Sequence, residues 1–224
     1  MNETVLNYFI KALVLFTAVP VHECAHAWVA EKMGDDTGRQ QGRITLNPFA
    51  HLTLWGSLMM VLVGFGWGKP VSVDPRNFKN PKKGMVLTSL AGPASNFIMA
   101  FLAMIVYKVL AITSIVNDNT TMQMMAMVFL YITLINISLA VFNFLPIPPL
   151  DGSKIFNAVL PEKWYFTIMR YENIIFIALI ILLYSGLLDA PLGFLQDKVI
   201  DIMDILTRWV DYIMIAVTAA GGAV

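Results

Sequence analysis

The sequence contains 224 residues, of which 58% are hydrophobic and 13% are charged, and its mean hydropathy is +0.69. A soluble globular domain usually has about 45–50% apolar and about 25% charged residues, so this composition favours a membrane protein. The formal net charge is zero and the chain has no basic block, which argues against nucleic acid as a partner.

Four apolar stretches are long enough to form membrane-spanning helices, which need about 20 residues each. They cover residues 5–30, 85–112, 122–145 and 167–188. A fifth apolar stretch, residues 52–65, is short for a crossing and is flanked by glycines. Its length and its glycines favour a re-entrant segment or a hairpin that is buried against protein.

Two further segments have different patterns. Residues 66–73 alternate and turn like a short β-element. From Leu195 to Val217 apolar residues recur every three or four positions, which predicts an amphipathic helix in the membrane interface or on the bundle.

These elements together predict an all-α fold: a polytopic membrane helix bundle with a re-entrant loop or short β-hairpin and a C-terminal amphipathic helix. We expect residues 1–190 to form the intramembrane core. Residues 191–224 are expected to form the amphipathic helix, packed on or beside that core.

Basic residues distinguish the two sides of the membrane. Residues 31–84 carry eight lysines and arginines, whereas the linker 113–121 carries none. Because basic loops are retained in the cytoplasm, we expect residues 31–84 inside and residues 113–121 outside. We expect an integral protein that crosses a cell membrane, prokaryotic in type, several times.

The first predicted span contains an HExxH motif at residues 22–26. On a helix, His22 and His26 lie on one face, so both imidazoles can bind one metal ion, and Glu23 lies close enough to activate a water. Zinc suits this set because it binds imidazole nitrogen and lowers the pKa of a bound water towards about 7. A chance cluster is the alternative, but ionisable residues inside an apolar span are costly and usually functional.

A catalytic zinc needs a third protein ligand, and the residues alone leave two candidates. His51 is one; its alternative role is a hydrogen bond to a backbone carbonyl that shapes the turn after Pro48. Asp151 is the other, and it follows a span that ends in three prolines, where the helix must break. Broken backbone at membrane depth lines a cavity or is buried in protein, although Asp-Gly is also ordinary turn chemistry.

Five motifs occur in one order along the chain. They are HExxH at 22–26, Asn-Pro-x-x-His at 47–51, Gly-Trp-Gly-Lys-Pro-Val at 66–71, Ala-Gly-Pro-x-x-Asn at 91–96 and Asn-x-x-Pro-x-x-x-Leu-Asp-Gly at 143–152. With these motifs the sequence resembles the site-2 protease family of intramembrane zinc metalloproteases. The linker 113–121 is too short for an inserted PDZ domain, so the resemblance is to a short form, and we expect no nucleotide-sensing domain either.

The resemblance implies a metalloendopeptidase that cleaves client proteins in or near their transmembrane segments. It implies one zinc ion held by His22, His26 and Asp151, with Glu23 as the general base. His26 lies near the cytoplasmic end of its span, and Asp151 can reach it only after an even number of crossings. This count again favours a re-entrant segment 52–65 and an active site towards the cytoplasm.

The resemblance also implies residues that bind the substrate. Asn143 is expected to hold the substrate near the metal, and a strand-like element is expected to pair with the unwound substrate. We assign this element to Gly66, Trp67 and Gly68, and we add His51 at the mouth of the re-entrant loop as a further candidate.

Small and polar residues of the Ala-Gly-Pro-x-x-Asn motif have two alternative roles. Gly92, Pro93 and Asn96 are expected to allow close approach of the second full span to the first, and contact between Asn96 and the site is the alternative. For the whole protein, the alternative functions are a non-catalytic scaffold that binds membrane clients and, less favoured, a metal transporter. The chain lacks further intramembrane acidic or histidine residues for a transport path.

Overall fold

The structure is a computed structural model of the chain, and it describes residues 8–9, 12–63, 68–157, 168 and 170–221. Within these residues the fold is all-α, as predicted, with nine α-helices and no strand. The helices are α1 (Val19–Met33), α2 (Thr37–Gln40), α3 (Pro48–His51), α4 (Leu54–Val63), α5 (Pro81–Val116), α6 (Thr120–Asn143), α7 (Asp151–Asn157), α8 (Glu172–Tyr184) and α9 (Asp189–Gly221).

A hairpin of two long helices forms the centre of the bundle. Helices α5 and α6 are each long and apolar enough to cross a membrane, and they correspond to the predicted spans 85–112 and 122–145. Asn80 begins α5 by accepting a hydrogen bond from the Lys83 amide, and Asn119 begins α6 by accepting one from the Met122 amide. These side chains satisfy amides that have no partner within the first helical turn.

Helix α1 packs along α5 and carries the HExxH motif. A π-helical turn, Val14–Ala18, leads into it, and part of the predicted span 5–30 lies outside the described residues. Alanines on the buried face allow close contact between the helices, since Ala27 and Ala30 are fully buried. The helix ends at Gly34, whose φ of 114° is in the left-handed region that favours glycine.

Helix α4 belongs to the segment that we expect to be re-entrant. It has 10 residues and therefore measures about 15 Å, half of the roughly 30 Å thickness of the hydrocarbon core. An isolated antiparallel bridge joins Leu52 to Gly68. Of the predicted β-element 66–73, residues 68–73 are described, and they form this one bridge and no strand.

The fourth predicted span, residues 167–188, does not continue as one helix to residue 188. Its described helix, α8, has 13 residues and stops at Tyr184, where the chain bends by 84° into α9. Gly186, with φ of 73°, provides the left-handed residue at this bend. By length and apolar composition taken together, α8 and α9 qualify as a span only as a pair, either as one broken crossing or as a re-entrant pair.

Helix α9 is the predicted amphipathic helix, and it packs on the bundle. Its Met203 joins a hydrophobic cluster with residues of α5 and α6: Ala100, Met104, Ile137 and Val141. Lys108 of α5 is buried and bridges Asp204 Oδ1 at 2.8 Å and Asp211 Oδ2 at 2.6 Å on α9. Pairing is the way in which such a cation is tolerated in an apolar helix. The division of the chain at residue 190 stays a prediction.

Candidate metal centre

Three ligand-type side chains meet between α1, α5 and α7. His22 Nε2 and His26 Nε2 lie 3.0 Å apart, because the two residues are separated by one turn of α1. Asp151 Oδ2 lies 3.1 Å from each of these nitrogens. All three side chains are buried, and in the described part of the chain this is the one such group that could hold a metal ion.

Asp151 reaches the histidines because the chain folds back after α6. Prolines in the segment that follows Asn143 prevent the helix from continuing, and α7 begins at Asp151 itself. Gly152 is required at this reversal, since a Cβ atom there would overlap the backbone of Phe144 and Leu145. The sequence prediction that Asp151 follows a broken helix is confirmed.

The outer nitrogens of both histidines are held by carbonyl oxygens. His22 Nδ1 donates to Asn96 Oδ1 at 2.6 Å, and His26 Nδ1 donates to the Thr88 carbonyl oxygen at 2.7 Å. A carbonyl oxygen only accepts hydrogen bonds, so each Nδ1 carries a hydrogen, and in the neutral imidazole each Nε2 then presents a lone pair. In that form two imidazole nitrogens and a carboxylate oxygen face one another as acceptors.

This arrangement fits a zinc ion. Three acceptor atoms that face one another need a cation between them. Their separations of 3.0–3.1 Å are close to the edge of about 3.3 Å in a tetrahedron with zinc–ligand bonds of about 2.0 Å. His51 does not join them, because its Nε2 donates to the Thr45 carbonyl oxygen at 2.8 Å and its ring is fully buried.

Gly92 of α5 lies directly against the two histidines. A Cβ atom at this position would overlap His26 Nε2 and His22 Nε2, so only glycine leaves the ligand atoms free.

We therefore expect Gly92→Ala to lower the zinc content of the purified protein severalfold, measured as metal per chain by elemental analysis. The added methyl group occupies the space of the two ligand nitrogens. Gly193→Ala is the matched control, because a Cβ atom at this other helical glycine meets nothing within 4 Å. Equal zinc contents for both variants would contradict this close approach.

Glu23 lies beside the metal-binding group and contacts a non-helical segment, residues 68–74. Its Oε2 accepts a hydrogen bond from the Val71 amide at 3.2 Å. The same segment is fixed at both ends: the Lys69 amide donates to the His51 carbonyl oxygen at 2.6 Å, and the Asp74 amide donates to Asp35 Oδ2 at 2.8 Å. The carboxylate of Glu23 is therefore held by a backbone segment that is itself fixed by hydrogen bonds to His51 and Asp35.

Asp35 is the buried anchor of this segment. Burial alone would raise its pKa, but hydrogen bonds from Asn77, Thr37 and the Asp74 amide outweigh burial and hold the pKa below its ordinary value. Asp74 is half-buried, and hydrogen bonds from the side chain and the amide of Arg76 lower its pKa to about 2. Both carboxylates are therefore ionised at neutral pH and accept these hydrogen bonds.

The residues predicted to bind substrate lie at different places. Asn143 is half-buried on the last turn of α6, and its side-chain nitrogen donates to the Leu139 carbonyl oxygen at 3.0 Å. Gly68 pairs with Leu52, and Gly66 and Trp67 lie outside the described residues. His51 adopts the alternative that the sequence left open, a hydrogen bond to a backbone carbonyl. The roles of these residues in substrate binding stay predictions.

Some residues of the site were missed or assigned differently. Asn96 was expected to allow close packing of the helices, with contact to the site as the alternative. In the structure it accepts a hydrogen bond from His22, which is that alternative. Asn136 and the amide of Val71 were not singled out. Asn136 could have been found, because a polar side chain in the middle of an apolar span is a signal for function. The Val71 amide gave no such signal, because every residue other than proline has a backbone amide N–H.

The profile of peptidase family M50 matches residues 10–116 and 106–185 of the chain, which include the HExxH motif and Asp151. The chain belongs to peptidase family M50. With its two long apolar helices, this M50 protein is an integral membrane protein, and its family supports a metalloprotease function.

Relatives with this function in their names cover most of the chain. The chain is 35% identical over 178 residues to a Bacillus subtilis (strain 168) protein named as zinc metalloprotease YwhC, covering 78% of this chain and 80% of the relative. It is 28% identical over 164 residues to zinc metalloprotease MJ0392 of Methanocaldococcus jannaschii, covering 73% of this chain and 38% of the relative. Mycobacterium tuberculosis Rip2, also named as a zinc metalloprotease, is 32% identical over 136 residues, 59% of this chain and 50% of the relative. No solved structure matches the chain.

Proposed function

We propose that this M50 protein is an intramembrane zinc metalloprotease that hydrolyses peptide bonds in or near the transmembrane segments of client membrane proteins. The observation that carries the proposal is the meeting of three buried acceptor atoms, from His22, His26 and Asp151, next to the carboxylate of Glu23. Such a set supports hydrolysis better than scaffolding, because buried ionisable groups are costly to keep without chemistry.

His22, His26 and Asp151 would hold the metal, and Glu23 would move the protons. When bound there, zinc supplies a Lewis acid that polarises a carbonyl group and lowers the pKa of water. Glu23 accepts a proton from the attacking water as the water oxygen bonds to the scissile carbonyl carbon. It then gives this proton to the amide nitrogen as the carbon–nitrogen bond breaks. The Val71 amide keeps one oxygen of Glu23 fixed during both transfers.

The substrate must unwind before it can react, because a carbonyl group in a helix is hydrogen-bonded and shielded. The segment 68–74 runs beside Glu23 and is the strand-like element with which an unwound substrate would pair. We assign substrate contacts to Gly66, Trp67 and Gly68 of this region and to Asn143. His51 supports the segment through its carbonyl oxygen, which accepts from Lys69.

Co-expression with a panel of single-span membrane proteins tests the proposal. Cleavage should produce fragments whose new ends, determined by mass spectrometry, lie within or next to the span of the client. A scaffold of the same fold would instead bind clients that remain intact.

We further propose that the active site faces the cytoplasm, and cysteine labelling tests this orientation. In a Cys24→Ser background, Lys79→Cys places an exposed thiol just before α5. Thr121→Cys places one at the start of α6, at the opposite end of this helical hairpin. We expect a membrane-impermeant thiol reagent added to intact cells to label position 121 and not position 79, because the basic loop stays inside. Labelling at 79 alone would reverse the orientation; permeabilised cells, in which both positions react, provide the control.

A further inference from the structure

Two buried asparagines connect His22 to the backbone of α6. Asn96 on α5 is fully buried and accepts from His22 Nδ1 through its Oδ1 at 2.6 Å. Its side-chain nitrogen donates to Asn136 Oδ1 at 2.8 Å, and Asn136 in turn donates to the Ile132 carbonyl oxygen at 2.8 Å. The result is one continuous hydrogen-bond chain, which we call the asparagine relay: Ile132, Asn136, Asn96 and His22.

The direction of the asparagine relay is fixed at its far end. A backbone carbonyl oxygen can only accept, so Asn136 must turn its nitrogen towards Ile132 and its oxygen towards Asn96. Asn96 must then turn its own nitrogen towards Asn136 and its oxygen towards His22. Without Asn136, the amide of Asn96 could rotate and present its nitrogen to the imidazole. His22 would then carry its hydrogen on Nε2, the atom that faces Asp151.

His26 needs no such relay, because its Nδ1 donates to a backbone carbonyl oxygen, that of Thr88, directly. The two histidines are therefore oriented by different means. Only the orientation of His22 depends on side chains, and therefore only this one can be changed by substitution at a distance.

We propose that Asn136 is a positioning residue of the metal centre: through Asn96 it holds His22 in the form that carries hydrogen on Nδ1 and leaves Nε2 free for zinc. This inference rests on the proposed zinc site. It assigns a role to a residue that does not contact the metal-facing atoms and lies outside the five sequence motifs. Removing a residue that orients a metal ligand through hydrogen bonds typically lowers the metal affinity by about 10–100-fold.

A purely structural role is the alternative, since polar side chains also join helices within membranes. Thr133 provides the comparison. It precedes Asn136 by one turn on α6, is equally buried, and its hydroxyl approaches the Ala100 carbonyl oxygen of α5 at 3.5 Å. It makes no hydrogen bond to Asn96 or to the ligand group.

The test measures zinc affinity of the purified full chain by competition with a chelator. We expect Asn136→Leu to weaken zinc binding about 10–100-fold and Thr133→Val to leave it within about threefold of wild type. Equal affinity in Asn136→Leu and wild type, or an equal loss in both variants, would overturn the positioning role. If Asn136→Leu fails to fold, Asn136→Ser is too short to reach Asn96 and takes its place.

A second readout reports on the histidine itself. The chain has three histidines, so the ring nitrogens of the zinc-free, ¹⁵N-histidine-labelled protein can be assigned with single variants. At a pH high enough for the imidazole to be neutral, we expect His22 of wild type to carry hydrogen on Nδ1, and His22 of Asn136→Leu to be a mixture of both tautomers. An unchanged tautomer in that variant would contradict the positioning role of Asn136 and would leave the proposed zinc site untouched. A wild-type protein that binds no zinc would instead contradict the proposed function.

Discussion

Glu23→Gln is expected to lower the rate of client cleavage by about 10²–10⁴-fold and to leave the zinc content of the protein unchanged. Glutamine has the size of glutamate and can still accept the hydrogen bond from the Val71 amide, so the local structure is preserved. It cannot accept a proton from water at neutral pH. The measurement is the rate of fragment formation by the purified protein with a purified client, together with the metal content of both proteins.

Glu31→Gln provides the matched control for this prediction. Glu31 lies two turns further along α1 and pairs with Arg39 at the end of the helix, away from the ligand group. Its neutralisation should leave cleavage near the wild-type rate. A Glu23→Gln protein that cleaves as fast as the Glu31→Gln protein would remove Glu23 from the mechanism.

Asp151→Ala is expected to release zinc, with a loss of affinity greater than the roughly 10–100-fold that is typical of residues behind the ligands. The change removes one of the three atoms that face one another and leaves two neutral imidazoles, which hold zinc weakly on their own. Elemental analysis and chelator competition on purified protein measure the loss, and cleavage should disappear with the metal.

Two controls separate a lost ligand from a disturbed fold. Asp189 also occupies the first position of a helix, so Asp189→Ala reproduces the loss of a favourable charge at a helix N-terminus without touching the site. His51→Ala removes the other histidine that the sequence left as a candidate ligand. Full zinc retention in Asp151→Ala, with loss in His51→Ala, would overturn the ligand assignment.

The sequence prediction of the metal-binding group rests mostly on local information. His22, Glu23 and His26 share one helical turn, and the spacing alone places both imidazoles on one face. The prolines before Asp151 likewise predict that the helix breaks at a definite position. Choosing between Asp151 and His51 needed more than local pattern, and the resemblance to the site-2 protease family made that choice before the geometry did.

The bend between α8 and α9 was not predicted, since composition shows only that residues 167–188 are apolar. Apolar character specifies burial in lipid or protein, but it does not specify whether a helix continues through Ser185 and Gly186. The sequence left the position of α9 open between the interface and the bundle. The contact of Lys108 with Asp204 and Asp211 decided it, across more than ninety residues of chain.

The sequence by itself therefore determined the class of the protein and its two long apolar helices, and it named the three residues that the structure brings together as a possible metal centre. Only the tertiary structure decided what holds these residues in place: Asn96 and Asn136 behind His22, the Val71 amide on Glu23, and Gly92 against the imidazoles. The reason is physical. Helix periodicity and proline geometry act over a few neighbouring residues, whereas these contacts join residues that are 40 or more positions apart and depend on how whole helices pack.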